Sequence, residues 1–208
     1  MALIKLNNRG VRNVSTFGSV GGGSMTFIKK LTASSSATLS FEDGSASVVL
    51  DDTYKEYMFT FKNIHPEESE KDFAVQFNAA GGSGYNETIT STVIKARHTE
   101  GDTAAEVVYN TAADQAQNTG FQYLSEDSGN ANDNCVSGWL RLFNPSNTTF
   151  VKHFMAEIAE VGGGDSQLKH NLIAGYINTT SAIDEVQFKM SSGNIDAGTF
   201  KLYGIKDS

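Results

Sequence analysis

The groups most able to do chemistry in this sequence are oxygen donors, imidazoles and one thiol, and spacing decides what each can do. Asp127, Asn130, Asn132, Asp133 and Asn134 form an oxygen-rich run that could ring a calcium ion. An EF-hand loop places a glutamate at its twelfth position, which counted from Asp127 is Gly138. A calcium loop without fixed spacing and a solvated turn both remain open. His65, His98, His153 and His170 form neither a His-Glu-x-x-His helix nor a His-x₃-His pair, and no cysteine joins them. They read as scattered surface or loop histidines. Gly162, Gly163 and Gly164 are followed by Asp165 and Ser166, where a phosphate-cradling loop needs Lys and then Ser or Thr. They read as a flexible hairpin turn.

Nucleophilic chemistry has little to build on. Cys135 sits between Asn134 and Val136 with no base beside it, and no Gly-x-Ser-x-Gly elbow occurs. Two acids brought together by folding would suit a glycosidase, but with 24 acidic residues some pair always looks suggestive. The expectation is therefore no catalytic residue, no cofactor and no metal. Aromatic rings are the remaining candidates. Tyr85, Tyr123, Trp139 and Tyr176 could stack on the apolar face of a sugar; the competing reading puts them, Trp139 above all, in a β core. Asn13, Asn86, Asn147 and Asn178 begin glycosylation sequons, most simply a by-product of Asn/Thr-rich β loops.

The elements that must position these groups read as strands. Tyr57, Phe59 and Phe61 alternate with polar neighbours, Phe73, Val75 and Phe77 repeat the pattern, and residues 89–94 form a β-branched run. Residues 121–123, 139–143, 186–190 and 200–204 continue it. A half-buried pleated face needs apolar groups at every second position. Twenty glycines supply tight turns, and only two prolines leave long strands unbroken. Turn signals recur about every 10–20 residues. The expected fold is all-β, a two-sheet β-sandwich of jelly-roll or concanavalin-like type with about ten strands. Residues 104–118 are ambiguous: the expectation is a strand through Tyr109, then a loop or one helical turn.

At 208 residues one domain suffices, burying roughly 70% of its unfolded surface without a disulfide, which a lone cysteine cannot form internally. Residues 1–24 read as an N-terminal docking segment with a Gly/Ser joint, and residues 25–208 as the sandwich. Leu3, Ile4 and Leu6 are candidate apolar pegs there, with Asn7, Asn8 and Arg9 pairing to backbone groups. The opening lacks the apolar core of a signal peptide, and no run approaches the ~18 apolar residues of a membrane span, so folding in a cytoplasm without a membrane is expected. A formal charge of −8 speaks against holding nucleic acid by phosphate neutralisation.

The opening MALIKLNNRGVRNV and the close GTFKLYGIK resemble the ends of small virion structural proteins of tailed bacteriophages, the marine cyanophage type in particular. LFNPSNTTFVKHFM and INTTSAIDEVQFKMSSGNIDAG are similar to the same group. The resemblance implies a jelly-roll or concanavalin-like sandwich repeated on a virion: a capsid decoration, head fibre or tail-associated protein. The partners it implies are major capsid or tail proteins and further copies of the chain. The alternative is a carbohydrate-binding module that adheres to a host surface glycan, and behind it a polysaccharide-degrading enzyme.

Overall fold

The computed structural model describes residues 24–164 and 166–207. Among them there is no helix. The strands are β1 (Met25–Ser36), β2 (Leu39–Glu42), β3 (Glu56–Pro66), β4 (Phe73–Ala79), β5 (Ile89–Thr99), β6 (Ala105–Tyr109), β7 (Ala116–Asn118), β8 (Gln122–Tyr123), β9 (Val136–Phe143), β10 (Lys152–Val161), β11 (Gln167–Ile177), β12 (Ile183–Met190) and β13 (Ile195–Ile205). They form two antiparallel sheets. The large one runs β1-β13-β3-β9-β10-β11-β5-β6, with β7 also pairing β5; the small one runs β2-β12-β4-β8.

This is the two-sheet sandwich expected from the alternation. The strands beyond the expected ten include β2 and β7, which have four residues or fewer and carry too short a pattern to be read, whereas β8 falls on the run read at residues 121–123. The ambiguous stretch resolves into β6, a turn at residues 111–113 and the short β7.

The core sits where the sheets face each other. From the large sheet come Tyr57, Phe59 and Phe61 of β3, Leu140 and Leu142 of β9, Phe154 of β10 and Phe200 of β13, all buried. From the small sheet come Phe41, Phe73, Val75, Phe77 and Phe188, also buried. Between the sheets the rings meet edge to face or tilted, as between Phe61 and Phe188 at 5.1 Å and Phe41 and Phe59 at 5.3 Å, the geometry that aromatic quadrupoles favour. Gly175 of β11 makes room for this packing, since a Cβ there would run into the Phe154 ring.

Four strands cannot cover nine. Over β10, β11 and β5 the inner face is covered in part by the segment 110–128, which apart from the short β7 and β8 is irregular, so many of its peptide groups need partners outside a ladder. Side chains provide them. Gln122 accepts from the Ser91 hydroxyl at 2.5 Å and donates to the Ala113 carbonyl at 2.8 Å. Asn171 donates to the Leu124 carbonyl at 3.2 Å, and the Lys169 ammonium to the Glu126 carbonyl at 2.6 Å. On β11 this inverts the usual polarity. Gln167, Lys169 and Asn171 face inward and are buried, while Leu168 and Leu172 face out.

Candidate interaction surfaces

Strand alternation and register settle which residues share the outer face of the large sheet. One row crosses Thr60 (β3), Trp139 (β9), Glu157 (β10), Leu172 (β11), Ile94 (β5) and Tyr109 (β6), each pair directly opposite across its ladder. The next crosses Met58, Arg141, Met155, Ala174 and Thr92. A third holds Ala159, His170, Ala96 and Val107. Among the described residues nine large hydrophobic side chains are exposed: Met25, Phe27, Ile94, Val107, Tyr109, Phe150, Met155, Leu168 and Leu172. All except Phe150 belong to the outer side of this one sheet, and Val107 is 71% exposed. Scattered exposed hydrophobics are ordinary, but a contiguous set is the mark of an interaction surface.

The face has relief. A hollow of about 380 Å³ lies between Phe143, His153, Met155, Ala174 and Tyr176, and a second of about 260 Å³ between Ile94, Trp139, Met155, Leu172 and Ala174. Met155 stands between them, and the small Ala174 side chain forms a floor to both. The polar groups at the centre are partnered: His170 Nε2 lies 2.9 Å from Glu157 Oε1. Arg141 reaches Glu56 at 3.6 Å and lies over the Trp139 ring at 5.6 Å.

The four aromatic candidates for sugar stacking are not brought together. Trp139 and Tyr176 lie on the large-sheet face just described; Trp139 is therefore half-buried outside the core rather than inside it. The Tyr176 hydroxyl accepts from Gln117 Nε2 at 3.2 Å. Tyr85 and Tyr123 belong to the opposite side of the molecule, over the small sheet. Burial and the neighbouring Glu185 carboxylate push the Tyr85 phenol up to about 12. Tyr123 lines a polar hollow of about 430 Å³ with Phe121, Asp114, Asn118 and Lys189, the Lys189 ammonium lying 4.3 Å from the Phe121 ring centre. Phe121 is a partner that sequence reasoning did not single out, because only the fold folds the 110–123 segment back over β4 and β12.

The oxygen-rich loop is engaged internally. Asp127 faces the Lys169 ammonium at 3.6 Å, and Asn130 donates to the Glu67 carbonyl at 3.1 Å. Asn134 packs so closely on Gly129 that any side chain there would collide with it. Among the described residues no three His, Cys, Asp or Glu side chains gather as a metal cage. The histidines lie at separate places. His98 pairs with Asp102, His170 with Glu157, and His153 leans on the Tyr176 ring. His65 shares a hollow with Cys135 and Asp196, a proximity invisible in the sequence. Its Nε2 faces the Ala131 carbonyl at 3.2 Å and its Nδ1 faces Asp196 at 3.7 Å, so neither nitrogen is directed at the thiol. Gly162 and Gly163 sit in a backbone turn, their amides donating to the carbonyls of Gln167 and Asp127.

Glu160 is the deepest carboxyl. It accepts from the Ser128 hydroxyl at 2.8 Å and the Glu126 amide at 3.1 Å, and burial raises its pKa against the opposing pull of those bonds and of Lys169. It pins the 124–128 segment to β10 and lines none of the hollows described above. Leu3, Ile4, Leu6, Asn7, Asn8 and Arg9 lie outside the described residues. No protein-family model and no curated protein matches the chain.

Proposed function

We propose that this chain is a non-enzymatic structural protein that works by association, on the exterior of a bacteriophage particle, as a capsid decoration or fibre protein. The observation that carries the association is the cluster of exposed apolar side chains on β10, β11, β5 and β6, at the outer face of the large sheet, which a lone domain has no use for. The placement on a virion rests on the resemblance of the opening, the middle strands and the close to virion proteins. Many copies on one particle amplify weak contacts, and an acidic chain avoids the packaged genome. The chain's copy number in purified particles tests the placement: hundreds of copies mean lattice decoration, about a dozen mean a tail component, and none refutes it. Deleting residues 1–14 leaves a folded sandwich that no longer joins particles; incorporation at normal occupancy would refute the docking segment.

A second reading, a saccharide-binding module, is favoured by the polar hollow beside Phe121 and Tyr123. Binding on a glycan array, lost in Tyr123→Ala and retained in Trp139→Ala, would place the sugar there. An array blank at millimolar sugar removes this reading.

A further inference from the structure

We infer that the apolar outer face of the large sheet pairs with the same face of a second copy of this chain, sheet against sheet about a two-fold axis. The inference rests on the reading of that face as an association surface and names its partner. Size is the first argument. The six strands from β3 to β6 span five spacings of about 4.8 Å, and about ten residues at ~3.4 Å each give a flat area of roughly 800 Å². A standard specific interface takes about 800 Å² from each partner, so one copy of the face is enough.

Relief is the second. A two-fold contact must be self-complementary, each feature meeting its counterpart's complement. Met155 projects between two apolar hollows, which gives the face both the knob and the holes that such a pairing needs. Charge is the third. The central Glu157 carboxylate already has a partner in His170 Nε2 and Arg141 has one in Glu56, so closing the face leaves neither group without a partner.

Edge-to-edge pairing is the competing geometry, and the long edge is blunted against it. β1 carries Lys29 and Lys30 and a register shift between Phe27 and Lys29, and β6 at the other end has five residues. The small sheet's outer face offers no rival: Ser40, Glu42, Glu185, Gln187 and Lys189 occupy its outward positions on β2 and β12.

Analytical ultracentrifugation of the full chain decides this. The expected mass is twice 22.4 kDa at micromolar concentration. Met155→Arg and Leu172→Glu are each expected to weaken self-association at least about tenfold, the loss typical of a central interface residue. Both side chains point outward, so the strand circular dichroism should be unchanged. Gln187→Arg, on the opposite side, should leave the dimer intact. A wild-type chain still at 22.4 kDa at about 100 μM overturns the pairing, since specific interfaces are tighter than that. A dimer indifferent to Met155 and Leu172, or a mass above the dimer, overturns it as well. If the chain is monomeric but Met155→Arg fails to join particles, the association reading stands with another partner. If that variant also joins normally, both readings fall.

Discussion

Replacing Phe188 by alanine should cost the sandwich more than any other single truncation on the small sheet. The side chain is fully buried, and its ring centre lies 5.1 Å from Phe61, 5.6 Å from Phe59 and from Phe200, 5.8 Å from Phe73 and 6.3 Å from Phe41. Phe61, Phe59 and Phe200 belong to the large sheet, so this one ring clamps the two layers. A buried Phe→Ala change costs about 3–5 kcal/mol through lost transfer energy and the cavity left behind. Ring pairs add roughly 0.5–1.5 kcal/mol each beyond area, without full additivity, which places this site near the upper end, about 5 kcal/mol. In a domain of this length each kcal/mol moves the melting midpoint by about 2–4 °C, so the expected fall is about 10–20 °C. Phe188→Leu keeps most of the volume and should lose only about 1–2 kcal/mol. Phe150→Ala, at a ring 70% exposed, is the control and should stay within about 0.5 kcal/mol. The assay is a thermal melt followed by circular dichroism, with urea unfolding to check the ordering. If Phe188→Ala moves the midpoint by no more than Phe150→Ala does, the two sheets do not meet at this ring and the core assignment is wrong.

Two further outcomes follow from the buried polar groups. Burial raises the carboxyl pKa values of Glu160, Asp72 and Asp184, so for these groups the folded chain binds protons more readily than the unfolded one. Their contribution is complete below the ordinary carboxylate values and is lost as pH rises through the raised folded ones. The urea midpoint should therefore rise as pH is lowered from neutrality toward the ordinary carboxylate range, and Glu160→Gln should flatten that rise; a rise of equal size in Glu160→Gln contradicts the burial argument for this group. Gln122→Ala removes the donor to the Ala113 carbonyl and the acceptor of the Ser91 hydroxyl, at about 1–3 kcal/mol. Its signature is faster hydrogen exchange confined to residues 110–128, and exchange unchanged there would mean that Gln122 is not what holds the segment.

The sandwich was legible because its central strands obey the simplest rule available to a strand. On β3 and β4 the aromatic residues recur at every second position and all point into the core, so Tyr57, Phe59, Phe61, Phe73 and Phe77 announce their own sheet. The surfaces were much less legible. In QLKHNLIAGYI the same rule sends Leu168 and Leu172 inward and Lys169 and Asn171 outward, and the fold does the reverse. Alternation reports that two faces differ; it does not report which face is covered by a sheet and which by an irregular segment with peptide groups to satisfy. Trp139 misled for a related reason. Its run Trp-Leu-Arg-Leu-Phe has apolar groups on both faces of β9, so Leu140 and Leu142 fill the core while Trp139 and Phe143 do not. The separation of Tyr85 and Tyr123 from Trp139 and Tyr176 depends on sheet assignment, a long-range property absent from any local pattern.

The inverted strand bears directly on how the outer face should be read. Once Lys169 and Asn171 must face inward to hold the carbonyls of Glu126 and Leu124, positions 168 and 172 must face outward, because strand side chains alternate strictly. That constraint fixes direction but not residue type. An outward position on a long antiparallel strand is well served by threonine, which has high strand propensity and tolerates water, as Thr92 on β5 and Thr60 on β3 illustrate. Among the described residues nothing packs over the leucines at 168 and 172, the methionine at 155, the isoleucine at 94, the valine at 107 or the tyrosine at 109 closely enough to bury them. Yet these groups occupy four neighbouring strands, and three of them, Leu172, Ile94 and Tyr109, stand in one unbroken cross-strand row. Leu172, Ile94 and Tyr109 keep 44%, 45% and 52% of their surface in water, so leaving the row uncovered forgoes about half of the roughly 1.5–3 kcal/mol that full burial of each provides. Packing among the described residues does not recover that energy. Covering the face would recover it, which is what the proposed pairing supplies.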